Sequence, residues 1–276
     1  MTSRLTLGLQ HVAGLALTLV FVLPLFWVVV ASLRQPGLPP ATTVEWWPAN
    51  AYWDNYAEIF RILPLAHYIG NSLLVVAVAV PATLVTASAA GFGLSQLADP
   101  WRRWVFVASV VLLMVPGMAV WLFRFQLLRW VGLQDTLWAL IVPAFAGSSP
   151  LFVLLFYWTF WRVPREVYES ALLDGANAPT VWWRIAQPLA WPTTAGVMIL
   201  TFVLYWSDFT NPVIYIYRPD LYTLPIGLQI LKQMDPTNWP LLMAASVLMA
   251  VPIIVLFLVL QRFFLHDLSL GRLLRE

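Results

Sequence analysis

The sequence predicts an all-α integral membrane protein with six transmembrane helices, and three observations carry that prediction. Of its 276 residues, 61% are hydrophobic and only 10% charged, whereas soluble domains carry about 25% charged residues. Six stretches, near 12–32, 71–95, 104–124, 137–161, 193–214 and 242–262, are long and apolar enough to cross a hydrocarbon core of roughly 30 Å. The chain also holds 16 Trp, whose amphipathic rings favour the membrane–water interface. The spans must be helices, because a lone strand in lipid leaves its backbone groups unpaired. Residues 1–276 read as a single transmembrane domain in the cell (plasma or inner) membrane.

The first span, from Val12 to Ala31, is too long for a signal-peptide core and has no small-residue cleavage site after it, so it reads as a retained helix. Residues 33–68 combine Pro36, Pro39, Pro40 and Pro48 with Trp46, Trp47, Tyr52, Trp53, Tyr56 and Phe60. That mixture predicts an ordered aromatic cap at the outer interface, with a short helix over 52–62. Pro24, Pro81, Pro116, Pro143, Pro150 and Pro252 fall within or beside spans, where kinks are expected and neighbouring helices satisfy the freed carbonyls. Pro116-Gly117 is the strongest candidate for a real bend. The loop 215–241, with Tyr215, Tyr217, Pro219, Tyr222, Pro225, Pro236 and Trp239, reads as a second outer cap.

Orientation follows from Lys and Arg. With six spans, both termini share a side with the loops near 96–103 and 162–192. That side holds nine of the 15 cations: Arg4, Arg102, Arg103, Arg162, Arg165, Arg184, Arg262, Arg272 and Arg275. Both termini are therefore expected to be cytoplasmic.

Composition also excludes functions. A net charge of +2 spread over six spans makes no basic patch, so no nucleic-acid partner is expected; the surroundings are membrane lipid. No Cys is present, which removes disulfides, thiol catalysis and thiolate metal sites. His11, His67 and His266 are scattered, so no metal site is expected. No catalytic residue and no Gly-rich phosphate loop is found.

The loop 162–192 is different in kind. Pro164 suits a first helical turn, Glu166 and Glu169 favour the positive end of the helix dipole, and Gly175 suits a left-handed residue past the helix end. A helix over 164–174 follows. Asn177 can cap a second helix with Pro179 in its first turn, and Pro188 is expected to end it. Val167, Ala171 and Leu172 form one apolar side, and Val181, Trp182 and Ile185 another. Such a pair can lie on lipid headgroups or dock on a protein, and the residues alone leave both open.

The order Glu169-Ser170-Ala171, three residues, Gly175, nine residues, Ile185, one residue, Gln187-Pro188 resembles the EAA motif of membrane subunits of binding-protein-dependent ABC importers. Asp174 and Ala176 fit the Asp-Gly-Ala form of the sugar-transporting branch, while Ser170 stands for an Ala and Gln187 for a Leu. Trp206-Ser207-Asp208-Phe209 with Pro212 resembles an element of the family's fifth helix. Ser32-Leu33-Arg34, Asn55-Tyr56 and the tail from Gln261-Arg262 to Leu268-Ser269-Leu270-Gly271 resemble the maltose-permease G-type branch.

The resemblance implies a type I ABC importer permease fold with a cytoplasmic coupling helix, carrying a sugar or related solute delivered by an extracytoplasmic solute-binding protein. It implies ATPase coupling through Glu169, Ser170, Ala171, Asp174, Gly175, Ala176, Ile185 and Pro188. The implied partners are a homologous second permease subunit and an ATPase dimer, which uses ATP and Mg; this chain binds no cofactor. Candidate pathway residues are Trp206, Asp208 and Asn211, because an ionisable group near a span is functional by default. Arg124 and Arg129 read as snorkelling side chains. The competing class, a self-contained secondary transporter or channel, calls for acidic or His relays in several spans, and Asp208 stands nearly alone.

Overall fold

The computed structural model describes residues 4–43 and 45–273, and the side chains of 8–43 and 45–262. Arg275 lies outside the described residues, as do the side chains of Arg4, His266, Arg272 and the tail motif 268–271.

The described residues are helical, and they fall into two compact units, Met1–Ala66 with Gly227–Val251 and His67–Ile226 with Pro252–Glu276. The first unit contains α1 (Arg4–Ser32), which is continuous through Pro24. Its apolar length from Leu9 to Phe26 is exposed, as suits a helix whose solvent is lipid. At its end the expected aromatic cap forms. Asn55, buried at the start of α2 (Asn55–Ile62), donates to the carbonyls of Ser32 and Arg34, both at 2.8 Å. Arg34 pairs with Glu45 at 3.0 Å, and the Ser32 and Tyr56 hydroxyls share a bond of 2.7 Å. The Asn55 amide thus satisfies the last carbonyl of α1 and one just beyond it.

The second unit is organised around α3 (Leu65–Gln96), also continuous through its Pro81. Gly91 on α3 meets α7 (Pro150–Trp161) at close quarters. A Cβ there would lie 2.7 Å from Phe156 Cβ and 2.8 Å from both Tyr157 N and Val153 O. Only glycine allows that approach, in keeping with the small residues that bring helices together in membranes. Around it pack Ala87, Phe92, Phe152, Phe156 and Phe160.

Three expected spans are broken. The stretch 104–124 is not one straight span: α4 (Asp99–Leu113) and α5 (Gly117–Val131) meet at 96°. Pro116 removes an N–H and disfavours helical geometry in Val115, which ends α4 before it. The fourth stretch begins with α6 (Trp138–Ile141) and a 3₁₀ turn, Val142–Ala146. Gly147 and Ser148 then take positive φ, +78° and +58°, before Ser149 caps α7. In the fifth, after α8, α9 and α10 of the 162–192 loop, α11 (Trp191–Trp206) stops short and α12 (Thr210–Tyr215) follows. α13 (Leu224–Met234) and the long α14 (Trp239–Leu273) complete the helices. Among the described residues four helices are long and apolar enough to cross a membrane, counting 138–161 as one through its irregular turn, or up to six if each of two bent pairs, 99–131 and 178–206, is one span.

Candidate functional site

The coupling segment is built locally. α8 (Arg165–Leu173) starts after Pro164 and ends in a left-handed Gly175, φ +87°. Gly175 N donates to Leu172 O at 3.1 Å and Ala176 N to Ala171 O at 3.0 Å, the paired bonds of a Schellman C-cap. Nothing lies within 4 Å of a Cβ built on Gly175, so the dihedral, not space, requires glycine. Asn177 then accepts from Thr180 N at 3.0 Å and caps α9 (Ala178–Val181). Pro188 sits in the last turn of the second helix, which ends one residue later at Leu189, close to where the sequence places its end. Residues Trp182–Ala186 widen into a π-turn, in which Gln187 N reaches Trp182 O. The helix then continues through Pro188 as α10 (Gln187–Leu189) and turns by 85° at Ala190 into α11. The wider turn absorbs the missing proline N–H, a known use of π-bulges.

The buried face of α8 differs from the expected one. Tyr168 and Ala171 point inward, whereas Val167, Leu172 and Leu173 are exposed, Leu173 at 88%. Tyr168 stands edge-on to Phe92, ring centres 5.6 Å apart, and its hydroxyl donates to Phe160 O at 3.2 Å. Burial pushes its pKa up to about 12. Val181, Trp182, Ile185 and Ala176 join the same cluster. The pair therefore rests on α3 and α7 of its own chain. Outward it presents Glu166, Glu169, Ser170, Leu172, Leu173 and Asp174. Of the coupling residues, Ala171, Ala176 and Ile185 contribute to the packing, while Pro188 is exposed. Gln187, standing where the motif has Leu, donates to Ser88 on α3 at 3.2 Å.

A second polar region is assembled from distant segments. The three breaks converge on a cavity of about 270 Å³ whose wall includes Trp121, Arg124, Ser148, Tyr205, Asp208 and Asn211. Asp208 accepts from Asn211 N at 3.1 Å and from Asn211 Nδ2 at 2.7 Å. Asn211 Oδ1 in turn accepts from Arg124 Nη1 at 3.3 Å. Ser148 shares a bond of 2.9 Å with the Tyr205 hydroxyl. Trp206 is not on this wall; it is 1% exposed and stacks on Phe202, ring centres 5.6 Å apart. Arg124, read from sequence as a snorkelling side chain, instead turns inward to Asn211, and nothing in its sequence neighbourhood signals that. The segment just after α12 is clamped by Asp135, whose Oδ1 accepts from Tyr217 N at 2.8 Å and Arg218 N at 3.1 Å. Partial burial pushes this carboxyl up, but those N–H groups and the Arg218 guanidinium outweigh it and hold it below the usual carboxylate range. Among the described residues no group of His, Asp and Glu could hold a metal ion.

With this geometry in place, residues 79–269 match the family described as "Binding-protein-dependent transport system inner membrane component". The chain belongs to that family. It is a permease, a multi-pass membrane subunit of a binding-protein-dependent ABC importer, in which separate subunits hydrolyse ATP. The permease is 31% identical over 270 residues to the arabinooligosaccharides transport system permease protein AraQ of Halalkalibacterium halodurans, covering 97% of this chain and 94% of that one. It is 27% identical to the inner membrane ABC transporter permease protein YcjP of Escherichia coli, covering 98% of each. A crystal structure of a bacterial ABC transporter involved in import of the acidic polysaccharide alginate superposes with a TM-score of 0.76 at 18% identity. That match covers 96% of this chain and 99% of that one, and it supports the permease fold.

Proposed function

We propose that this permease carries a sugar or oligosaccharide across the membrane, powered by an ATPase dimer that docks on α8. A homologous second permease completes the passage, both termini and the 162–192 loop face the cytoplasm, and Asp208 and Asn211 lie along the solute route. ATP and Mg act in the ATPase subunits, and this chain binds no cofactor. The sugar class is supported by relatives named for transport of arabinooligosaccharides, diacetylchitobiose and galactooligosaccharides. The orientation is supported by the Lys and Arg distribution.

One observation carries the docking. α8 buries its inner face on its own chain, so it does not need lipid to cover it, yet it leaves Leu172 and Leu173 bare beside Glu169 and Asp174. A mixed apolar and acidic tip fits a protein groove better than an anionic headgroup layer, which repels carboxylates. Binding of the ATPase to the α8 face would pull on the Gly175 turn, and the packed Val181–Ala190 segment would carry that motion into α11.

The test is co-purification of the ATPase with this chain and its Leu173→Glu variant. Burying a charge in an apolar groove should weaken association about tenfold or more. The variant's thermal midpoint should not change, because Leu173 has no contact to lose. Undiminished ATPase binding by Leu173→Glu would sink the docking assignment.

A further inference from the structure

We infer that the cavity between the broken spans is a solute subsite for one sugar ring, held by this chain itself. The inference rests on the reading of the permease as a sugar transporter, and adds to it the chemistry of contact.

At about 270 Å³, the cavity falls just below the size range of sites for drug-sized ligands. It therefore fits one ring of a longer oligosaccharide. Its polar groups come in complementary kinds. Arg124 donates to Asn211 and to the Tyr215 hydroxyl, and a guanidinium carries five N–H donors, so its fork has donors beyond these two for a ligand. Asp208 accepts from Asn211 on both oxygens and from Thr210 N, yet a carboxylate offers about four lone-pair sites. Ser148, which also bonds the Thr83 hydroxyl, and Tyr205 add hydroxyl oxygens with lone pairs left to accept. A sugar hydroxyl both donates and accepts, so it can bridge donor and acceptor walls, whereas an anion or cation satisfies one and is repelled by the other. Trp121 supplies a flat apolar wall, matched to the C–H face of a pyranose or furanose ring.

The pairing also explains why the site persists in a membrane protein. Asn211 links the carboxylate to the guanidinium, so neither charge faces the interior alone. Opposite charges cancel, which selects a neutral, polyhydroxylated solute over a charged one. All of the wall residues named belong to one compact unit of the chain.

The chain contains no Cys, which makes a protection experiment direct. Val120 lines the cavity, while Leu122 is 74% exposed and does not. Val120→Cys and Leu122→Cys are placed separately in the complex with its binding protein, partner permease and ATPase, all cysteine-free, in proteoliposomes. Alkylation by N-ethylmaleimide is followed during turnover with arabinotriose, galactotriose or diacetylchitobiose. A transported sugar should slow alkylation at Val120→Cys about fivefold or more and leave Leu122→Cys unchanged, as expected when a ligand buries most of its surface in a pocket.

Uptake kinetics supply the second measurement. Arg124→Met and Asp208→Asn should each raise the KM of that sugar roughly tenfold or more, because each leaves a ligand hydroxyl and its partner unpaired. Arg124→Lys should recover part of the loss. Affinity of the free binding protein for the sugar should not move. Transport by the wild type without protection at Val120→Cys, or with KM unchanged in both variants, overturns the subsite. A wild-type complex that hydrolyses ATP but carries none of the three sugars counts instead against the sugar reading itself.

Discussion

Two polar regions interrupt the lipid-facing helices of this permease, and they are made in opposite ways. The coupling segment is short in sequence. Its helix start, its Schellman cap and its Asn177 cap all lie within residues 164–180. The cavity draws on Trp121 and Arg124 from α5, Ser148 from the break before α7, and Asp208 and Asn211 beyond α11. Local caps depend on dihedrals and neighbouring N–H groups, so spacing in the chain is enough to specify them. Convergent side chains depend on where helices stop and turn, which the bilayer and the packing decide together. One region is therefore robust as a unit and sensitive at single turn positions. The other depends on three separate breaks keeping their geometry.

The largest test of that contrast is Gly175→Pro. Proline cannot adopt φ +87° and has no N–H to give Leu172 O. ATP-driven uptake should fall by about a hundredfold or more if this single turn transmits motion, since small misplacements cost that much. Alkylation of Val120→Cys by N-ethylmaleimide without sugar should not change, because the cavity walls do not depend on the turn. Normal uptake in the variant would show that the turn is not the joint.

Gly91→Ala is the next in size. The added Cβ meets two backbone atoms of α7 at 2.8 Å, which cannot rotate away, so α3 and α7 must separate. Overpacking of this kind costs about 1–3 kcal/mol, which for a chain of this length lowers the thermal midpoint by several degrees. Hydrogen exchange in α8 should rise as well, since Phe92 and Phe160 seat Tyr168. Unchanged exchange in α8 would mean that the loop is held by its own caps rather than by the α3–α7 contact.

Tyr168→Phe is the smallest. It deletes the bond to Phe160 O and should cost about 1 kcal/mol. The same hydroxyl sets an alkaline limit. Its folded pKa, about 12, is raised above the unfolded value of about 10. Its contribution is therefore fully present below pH 10 and is lost as pH rises from there through 12. Wild-type thermal midpoints should fall over that window more steeply than those of Tyr168→Phe, and parallel curves would show that Tyr168 ionises as freely folded as unfolded.

Legibility follows the same division. The aromatic cap, α2, the two short helices of the loop, the left-handed turn at Gly175 and the Asn177 cap are readable, because each rests on a residue with a strong backbone preference. The inward face of α8 was not. Val167 and Leu172 are as apolar as Ala171, and only the position of Phe92 and Phe160 selects Tyr168 as the residue to bury. Pro188 marks the end of the second helix to within one residue, whereas the π-turn before it has no sequence signal. Arg124 reads as a snorkelling side chain because it flanks the end of a span; its partner is 87 residues away. Gly91 carries no local turn signal, since its role is a close approach rather than a dihedral.

The amino-acid sequence by itself determined that this chain lives in a membrane, that its spans are helices, and that one cytoplasmic-type loop carries a helix–glycine–helix joint of the importer family. Hydropathy and backbone propensity act on neighbouring residues, so they survive translation into pattern. The tertiary structure alone decided how far the chain turns at Pro116, where the sequence already marked a bend, the face that α8 shows outward, and the meeting of Arg124, Asn211 and Asp208. Those outcomes arise from competition among packed helices for the same space and the same hydrogen-bond partners, and no local stretch of sequence contains that competition.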